Sequence, residues 1–132
     1  MTAHATGKFK IQSFDEQTSA EIEGGGKLTR ASVTQAFSGD IEGDGAVEWL
    51  MCYRADKTAD FVGLQRVSGQ LGRRAGSFVL KTAGTFDGTE AKGDWSVVSG
   101  SGTGDLRGLS GTGGFTAPHG LEASVTLDYD FE

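Results

Sequence analysis

Glu122-Ala123-Ser124-Val125-Thr126-Leu127-Asp128-Tyr129-Asp130-Phe131 is an unbroken alternation. Every odd position is apolar or aromatic, and every even one is polar or acidic. Successive side chains of an extended strand point to opposite faces, so this stretch lays one face on a core and the other in water. A helix would repeat its apolar residues at three and four instead.

The same kind of segment recurs upstream, at Lys8–Phe14, Val47–Tyr53, Phe61–Val67, Ser77–Lys81 and Trp95–Val98. These are rich in Val, Phe, Thr, Trp and Tyr, which fit a pleated surface. Between them fall glycines, 22 of them in 132 residues with one Pro and no Asn. The pattern predicts about eight strands, at 4–15, 27–39, 45–55, 59–70, 75–86, 90–99, 103–116 and 120–131. One all-β domain over 1–132 follows, most economically a single eight-stranded antiparallel up-and-down barrel. Asp87-Gly88 reads as the strongest hairpin turn. Ser38-Gly39 and Asp44-Gly45 bracket another. Ala55–Thr58 and Leu71–Arg74 read as four-residue loops, and Glu16 to Gly26 as a flexible polar connection.

Net charge is −6 and the pI is about 4.8. The one basic cluster, Arg73-Arg74, lies in a turn, so the chain lacks the basic face a nucleic-acid partner requires. No apolar run reaches the ~20 residues of a membrane span, and the N-terminus has no signal-peptide pattern. Cys52 is the only cysteine. A cytoplasmic location is the expectation.

Loops of even length put residues of one face opposite one another. On that premise Glu48 faces Phe37 on one side and Gln65 on the other, Gln65 lies beside Leu80, and Leu80 beside Trp95. Val33, Leu50, Cys52, Phe61, Val67, Phe78 and Val97 join this more aromatic face, which is assigned to the lumen. Trp49, Met51, Val62, Leu64 and Val79 fall outside. Strands three and four are thus apolar on both faces, and a partner subunit is the simplest cover for the outer one. A homodimer or higher homo-oligomer is expected.

Gly7–Ile11, Phe37–Gly45, Phe61–Gly69, Gly76–Leu80 and Gly100–Leu106 together resemble a family of small bacterial domains of unknown function. The resemblance covers nearly the whole chain. It implies an allene-oxide-cyclase-like barrel of eight antiparallel strands, and it implies no settled activity.

The candidate chemistry centres on Glu48. Inside the lumen, desolvation would raise its pKa and fit it for general acid or base work; at the rim it would be an ordinary solvated carboxylate. Gln35 and Gln65 would orient a ligand or form a structural network. Phe37, Leu50, Phe61, Phe78, Leu80, Trp95 and Tyr129 would line an apolar pocket or simply pack. Cys52 reads as a buried inert thiol. His4 and His119 sit at opposite barrel ends, so no metal pair forms. The glycine-rich 99–104 lacks the following helix and Lys of a phosphate loop and reads as a tight bend. Asp40, Glu42 and Asp44 lack the downstream Glu of a calcium loop and read as a solvated turn. Two functions stay open. One is a barrel binding a small apolar molecule, isomerising or cyclising it without a cofactor. The other is a non-catalytic carrier or structural oligomer with a filled interior.

Overall fold

The computed structural model describes residues 2–118 and 122–132. Eight antiparallel strands follow one another around a closed barrel. They are β1 (Ala3–Ile22), β2 (Gly26–Gly39), β3 (Ile41–Tyr53), β4 (Ala59–Leu71), β5 (Arg74–Phe86), β6 (Ala91–Val97), β7 (Leu109–Ala117) and β8 (Glu122–Phe131). One 3-10 turn, Gly104–Leu106, is the only helix among the described residues. No described helix is long and apolar enough to cross a membrane. The all-β barrel expected from period two is therefore the observed architecture, and the residues of β8 alternate buried and exposed as their sequence does.

β1 departs furthest from expectation. The polar stretch after Phe14, expected as a linker, continues the strand to Ile22 and pairs with β2 throughout. It pairs with β8 only from Ala3 to Lys10. Beyond Lys10 the other edge of β1 has no strand beside it among the described residues. Past Ile11 every residue of β1 is largely exposed, so the stretch shows no buried–exposed alternation to read.

Two loops have odd length where even length was expected. Phe37 pairs with Gly43, which centres the β2–β3 turn on Asp40, and Tyr53 pairs with Ala59 across a five-residue loop. Asp44 and Gly45 lie within β3, not in a turn. Each odd loop inverts the faces beyond it. The first inversion turns β3 over and the second restores β4, so β3 alone has its faces exchanged. Trp49 and Met51 point into the lumen, whereas Glu48, Leu50 and Cys52 point out. Cys52 is accordingly an exposed thiol, not a buried one. β4 keeps the expected faces, with Phe61, Gln65 and Val67 inside and Val62 and Leu64 outside. Leu80 pairs with Val97, two residues from the expected partner Trp95, on the same face.

The lumen is filled by rings laid over glycines. Trp49 pairs with Gly63, Phe61 with Gly84, Trp95 with Gly113 and Phe115 with Gly93. In each pair a bulky inward side chain faces one with none, which lets an eight-stranded barrel hold this many aromatics. A Cβ on Gly63 would lie 2.5 Å from Trp49 Cδ1, and one on Gly84 2.6 Å from Phe61 Cζ. Phe115 is the hub. Its ring centroid lies 5.4 Å from Phe9, 5.5 Å from Trp95 and 6.2 Å from both Trp49 and Phe61.

The two barrel ends differ. At the end of the β2–β3 turn, Ile41, Leu71, Leu106 and Leu109 are all buried. The β6–β7 loop crosses there, held by Thr103 N–H to the Ser77 carbonyl (2.8 Å) and by the Ser101 hydroxyl, which accepts from Val79 N–H (3.0 Å). The stretch 99–104 is the bend that its sequence predicts. At the other end lies a hollow.

Candidate functional site

The hollow is a cavity of about 180 Å³ inside the barrel, at the end carrying the β3–β4 and β5–β6 loops. Phe9, Ile11 and Phe14 of β1 form one wall, with Trp49, Met51 and Tyr53 of β3 and Phe61 of β4 facing them. Phe86, Ala91, Phe115 and Ala117 complete the apolar lining. Ile11 and Phe14 flank the stretch where β1 has left β8, so the cavity lies beside the seam. A larger hollow, of about 1560 Å³, is an open depression on the outside of the barrel, bordered by Arg30, Glu48, Leu50, Val62, Leu64 and Lys81.

Two of the lining residues, Trp49 and Tyr53, carry polar groups. Trp49 Nε1 is buried and has no hydrogen-bond acceptor among the described residues. Tyr53 Oη donates to Glu16 Oε2 at 2.9 Å, and the same carboxylate accepts from Thr29 Oγ1 at 2.6 Å. Burial, then the bond to Glu16, pushes the Tyr53 hydroxyl up to about 12 from its ordinary 10.0. The phenol is therefore neutral at physiological pH. The fold prefers the protonated form, so Tyr53 contributes stability that is complete below pH 10 and lost as pH rises toward about 12. Alkaline denaturation followed in parallel should show a steeper loss across that window for the wild type than for Tyr53→Phe. Superimposable pH profiles would refute this coupling.

The expected acid/base residue lies elsewhere. Glu48 is on the outer surface, where Arg30 Nη2 lies 2.9 Å from each carboxylate oxygen and Ser32 Oγ lies 3.2 Å away. The bond from Arg30, then its charge, holds the carboxyl below its ordinary value, the reverse of the expected shift. Leu50 is outside as well. Gln35 and Gln65 are inside and fully buried, with Gln65 Nε2 donating to Gln35 Oε1. Gln35 Nε2, Gln65 Oε1 and Thr82 Oγ1 are buried without a partner among the described residues. Phe37, Phe78, Leu80 and Trp95 are inside as core, with Trp95 Nε1 donating to the Thr126 carbonyl at 3.0 Å. Tyr129 sits on β8 beside Phe131, pairing with Ala3 at the barrel end away from the cavity. Of the expected ligand residues, Phe61 alone lines the cavity.

Trp49, Met51 and Tyr53 were hidden by the inverted face of β3. Phe9, Ile11 and Phe115 had a usable signal, since each alternates with polar or small residues along its strand. His4 bonds Asp128 across the β1–β8 seam, in the open. His119 lies outside the described residues. Asp40 accepts from Thr6 N–H at 3.0 Å in an exposed turn. Among the described residues no three His, Cys, Asp or Glu gather to hold a metal ion.

A chain closed into eight strands, with an aromatic lumen and an apolar end cavity, defines a class of small barrel domains. Residues 5–129 match the family model described as protein of unknown function DUF3224, and the chain belongs to that family. It is similar to a protein of unknown function from the same family in Shewanella oneidensis MR-1, whose crystal structure was solved at 1.84 Å. The two share 29% identity over 100% of this chain and 99% of that one, with a TM-score of 0.81. No curated protein matches the chain.

Proposed function

We propose that this barrel binds a small, largely apolar molecule in its end cavity and carries it without chemical change. The observation that supports this most is the cavity itself. It is lined by rings and aliphatic side chains, and one of the lining residues, Trp49, carries a buried N–H without a partner among the described residues. A cavity of comparable size, about 150 Å³ and lined by Leu, Ile and Phe, holds benzene. The volume suits a single-ring molecule, and the indole N–H suits one that bears an acceptor such as a carbonyl.

Turnover is disfavoured by what faces inward. The buried polar side chains among the described residues are Thr29, Gln35, Gln65, Ser77 and Thr82, none of which exchanges a proton near neutral pH. The neutral Tyr53 phenol is tied to Glu16. Glu48, outside and paired with Arg30, drops out as a general acid or base in the lumen. The likeness to allene-oxide-cyclase-like barrels belongs to this reading, supported by the up-and-down order of eight antiparallel strands. So does a cytoplasmic setting, where the exposed Cys52 thiol stays reduced.

Thermal shift with toluene, indole and 4-methylacetophenone tests the proposal. A ligand bound only by the folded state stabilises it by about 2.7 kcal/mol at a hundred times its dissociation constant. 4-Methylacetophenone is expected to raise the melting temperature most, because its carbonyl offers the acceptor that the Trp49 N–H lacks. Ala117→Leu should remove the effect, since the added methyls occupy the cavity. No shift from any of the three, or equal shifts in Ala117→Leu, would refute binding at this place.

A further inference from the structure

We propose that the outer face of β3, β4 and β5 docks a second copy of this chain about a two-fold axis running along β4. This interface is independent of the lumen. Leu50, Val62 and Leu64 are 57%, 52% and 60% exposed and adjoin one another on β3 and β4. Together they offer roughly 300 Å² of apolar surface, the size at which patches on monomers begin to mark interaction sites. A standard interface covers about 800 Å² per partner. The apolar stripe alone is too small, so the charged side chains beside it must also fall within the contact, and their signs then decide the geometry.

The register supplies those signs. In the row through Leu64, Glu48 is the neighbour on β3 and Lys81 the neighbour on β5. In the row through Val62, Leu50 and Ala83 are the neighbours, with Arg30 beyond Leu50 and Asp94 beyond Ala83. Two copies related face to face by an axis along β4 keep each row and exchange its sides. Leu64 then meets Leu64 and Val62 meets Val62. Leu50 meets Ala83, Lys81 of one copy meets Glu48 of the other, and Arg30 meets Asp94. Each unlike pair forms twice, as two-fold symmetry demands. An axis across the strands would exchange the rows instead, setting Glu48 on Leu50 and Lys81 on Ala83 and burying charge against hydrocarbon. Within one copy Glu48 is bonded to Arg30, whereas Lys81 and Asp94 take part in none of the ion pairs formed among the described residues. Arg66, one row further along β4, meets its own mate and opposes association. Asp60, at the other end of the stripe, is held by Arg54 at 2.8 Å.

Sedimentation of the full chain across about 1–200 µM tests the assignment, with circular dichroism confirming the fold of each variant. The wild type should be a reversible dimer. Leu64→Glu should be monomeric throughout, and Lys81→Glu should weaken association at least tenfold. Lys81→Glu combined with Glu48→Lys should restore it to within a few-fold of wild type, because the pair is reciprocal. Arg66→Ser should tighten it. Should Leu64→Glu fail to fold, the two exposed charge variants carry the test. A wild type that stays monomeric at the top concentration would overturn the interface, as would a dimer indifferent to Leu64→Glu. A swap no better than Lys81→Glu alone would overturn the axis.

Discussion

Phe115→Ala is expected to cost about 3–5 kcal/mol of stability, the upper range for removing a buried aromatic. Its ring is packed against Phe9, Trp49, Phe61 and Trp95, which come from four strands around the barrel. None of those strands moves inward easily, because each is hydrogen-bonded on both sides at this height. The space left by the ring therefore stays open, and the cost sits near the high end for its chemistry. The same change joins new volume to the end cavity, whose wall Phe115 forms. Denaturant unfolding measures the first effect. Biphenyl, larger than a single-ring guest of the native cavity, measures the second, and it should raise the melting temperature of Phe115→Ala but not of the wild type. A loss below about 1 kcal/mol would mean the rings are not the framework of the lumen.

Gly93→Ala is the complementary change, adding one carbon where Phe115→Ala removes six. The new Cβ would lie 2.5, 3.0 and 3.2 Å from three atoms of the Phe115 ring. That ring is held by Phe9, Trp49, Phe61 and Trp95 and borders the end cavity, so the expected cost is about 1–3 kcal/mol, the range for overpacking. The decisive form is a double-mutant cycle. Without the ring, the methyl group meets nothing it must displace, so Gly93→Ala in the Phe115→Ala background should be close to neutral. The coupling should then nearly equal the cost of Gly93→Ala alone. Additive costs would show that Gly93 is required for its backbone and not for the ring above it.

These glycines explain much of what was legible and what was not. Asp87 marks its turn plainly, with Oδ1 accepting from Thr89 and Glu90 N–H at 2.9 and 2.7 Å. Gly39 is also a true turn glycine, with a φ of +102°. Gly63, Gly84, Gly93 and Gly113 look the same in sequence but stand mid-strand, facing aromatic rings. A glycine read as punctuation carries no information about which ring it accommodates, because its cross-strand partner is set by register. Register in turn hung on loop parity. Asp44-Gly45 is a strong hairpin dipeptide that sits inside β3, and the true turn, centred on Asp40, differs from it by enough to reverse a face. That single reversal sent Glu48 outward to Arg30 and Trp49 inward to the cavity. β8 was legible residue by residue because one of its faces is wet. The distal half of β1 was not, since it is polar on both faces and only β2 holds it straight. Val62 and Leu64 were rightly expected outside, while Trp49 and Met51, read as their companions, belong to the cavity wall.

An apolar space within the barrel that accepts a guest is the centre of the proposed function. Xenon enters dry apolar cavities of this size and is seen directly by its scattering. In a crystal pressurised with xenon, one site should appear inside the barrel, bounded by Phe9, Phe61, Phe115 and Ala117, and the site should be lost in Ala117→Leu. A lumen that takes up no xenon, with the gas found only against Leu50, Val62 and Leu64 on the outer face, would contradict it.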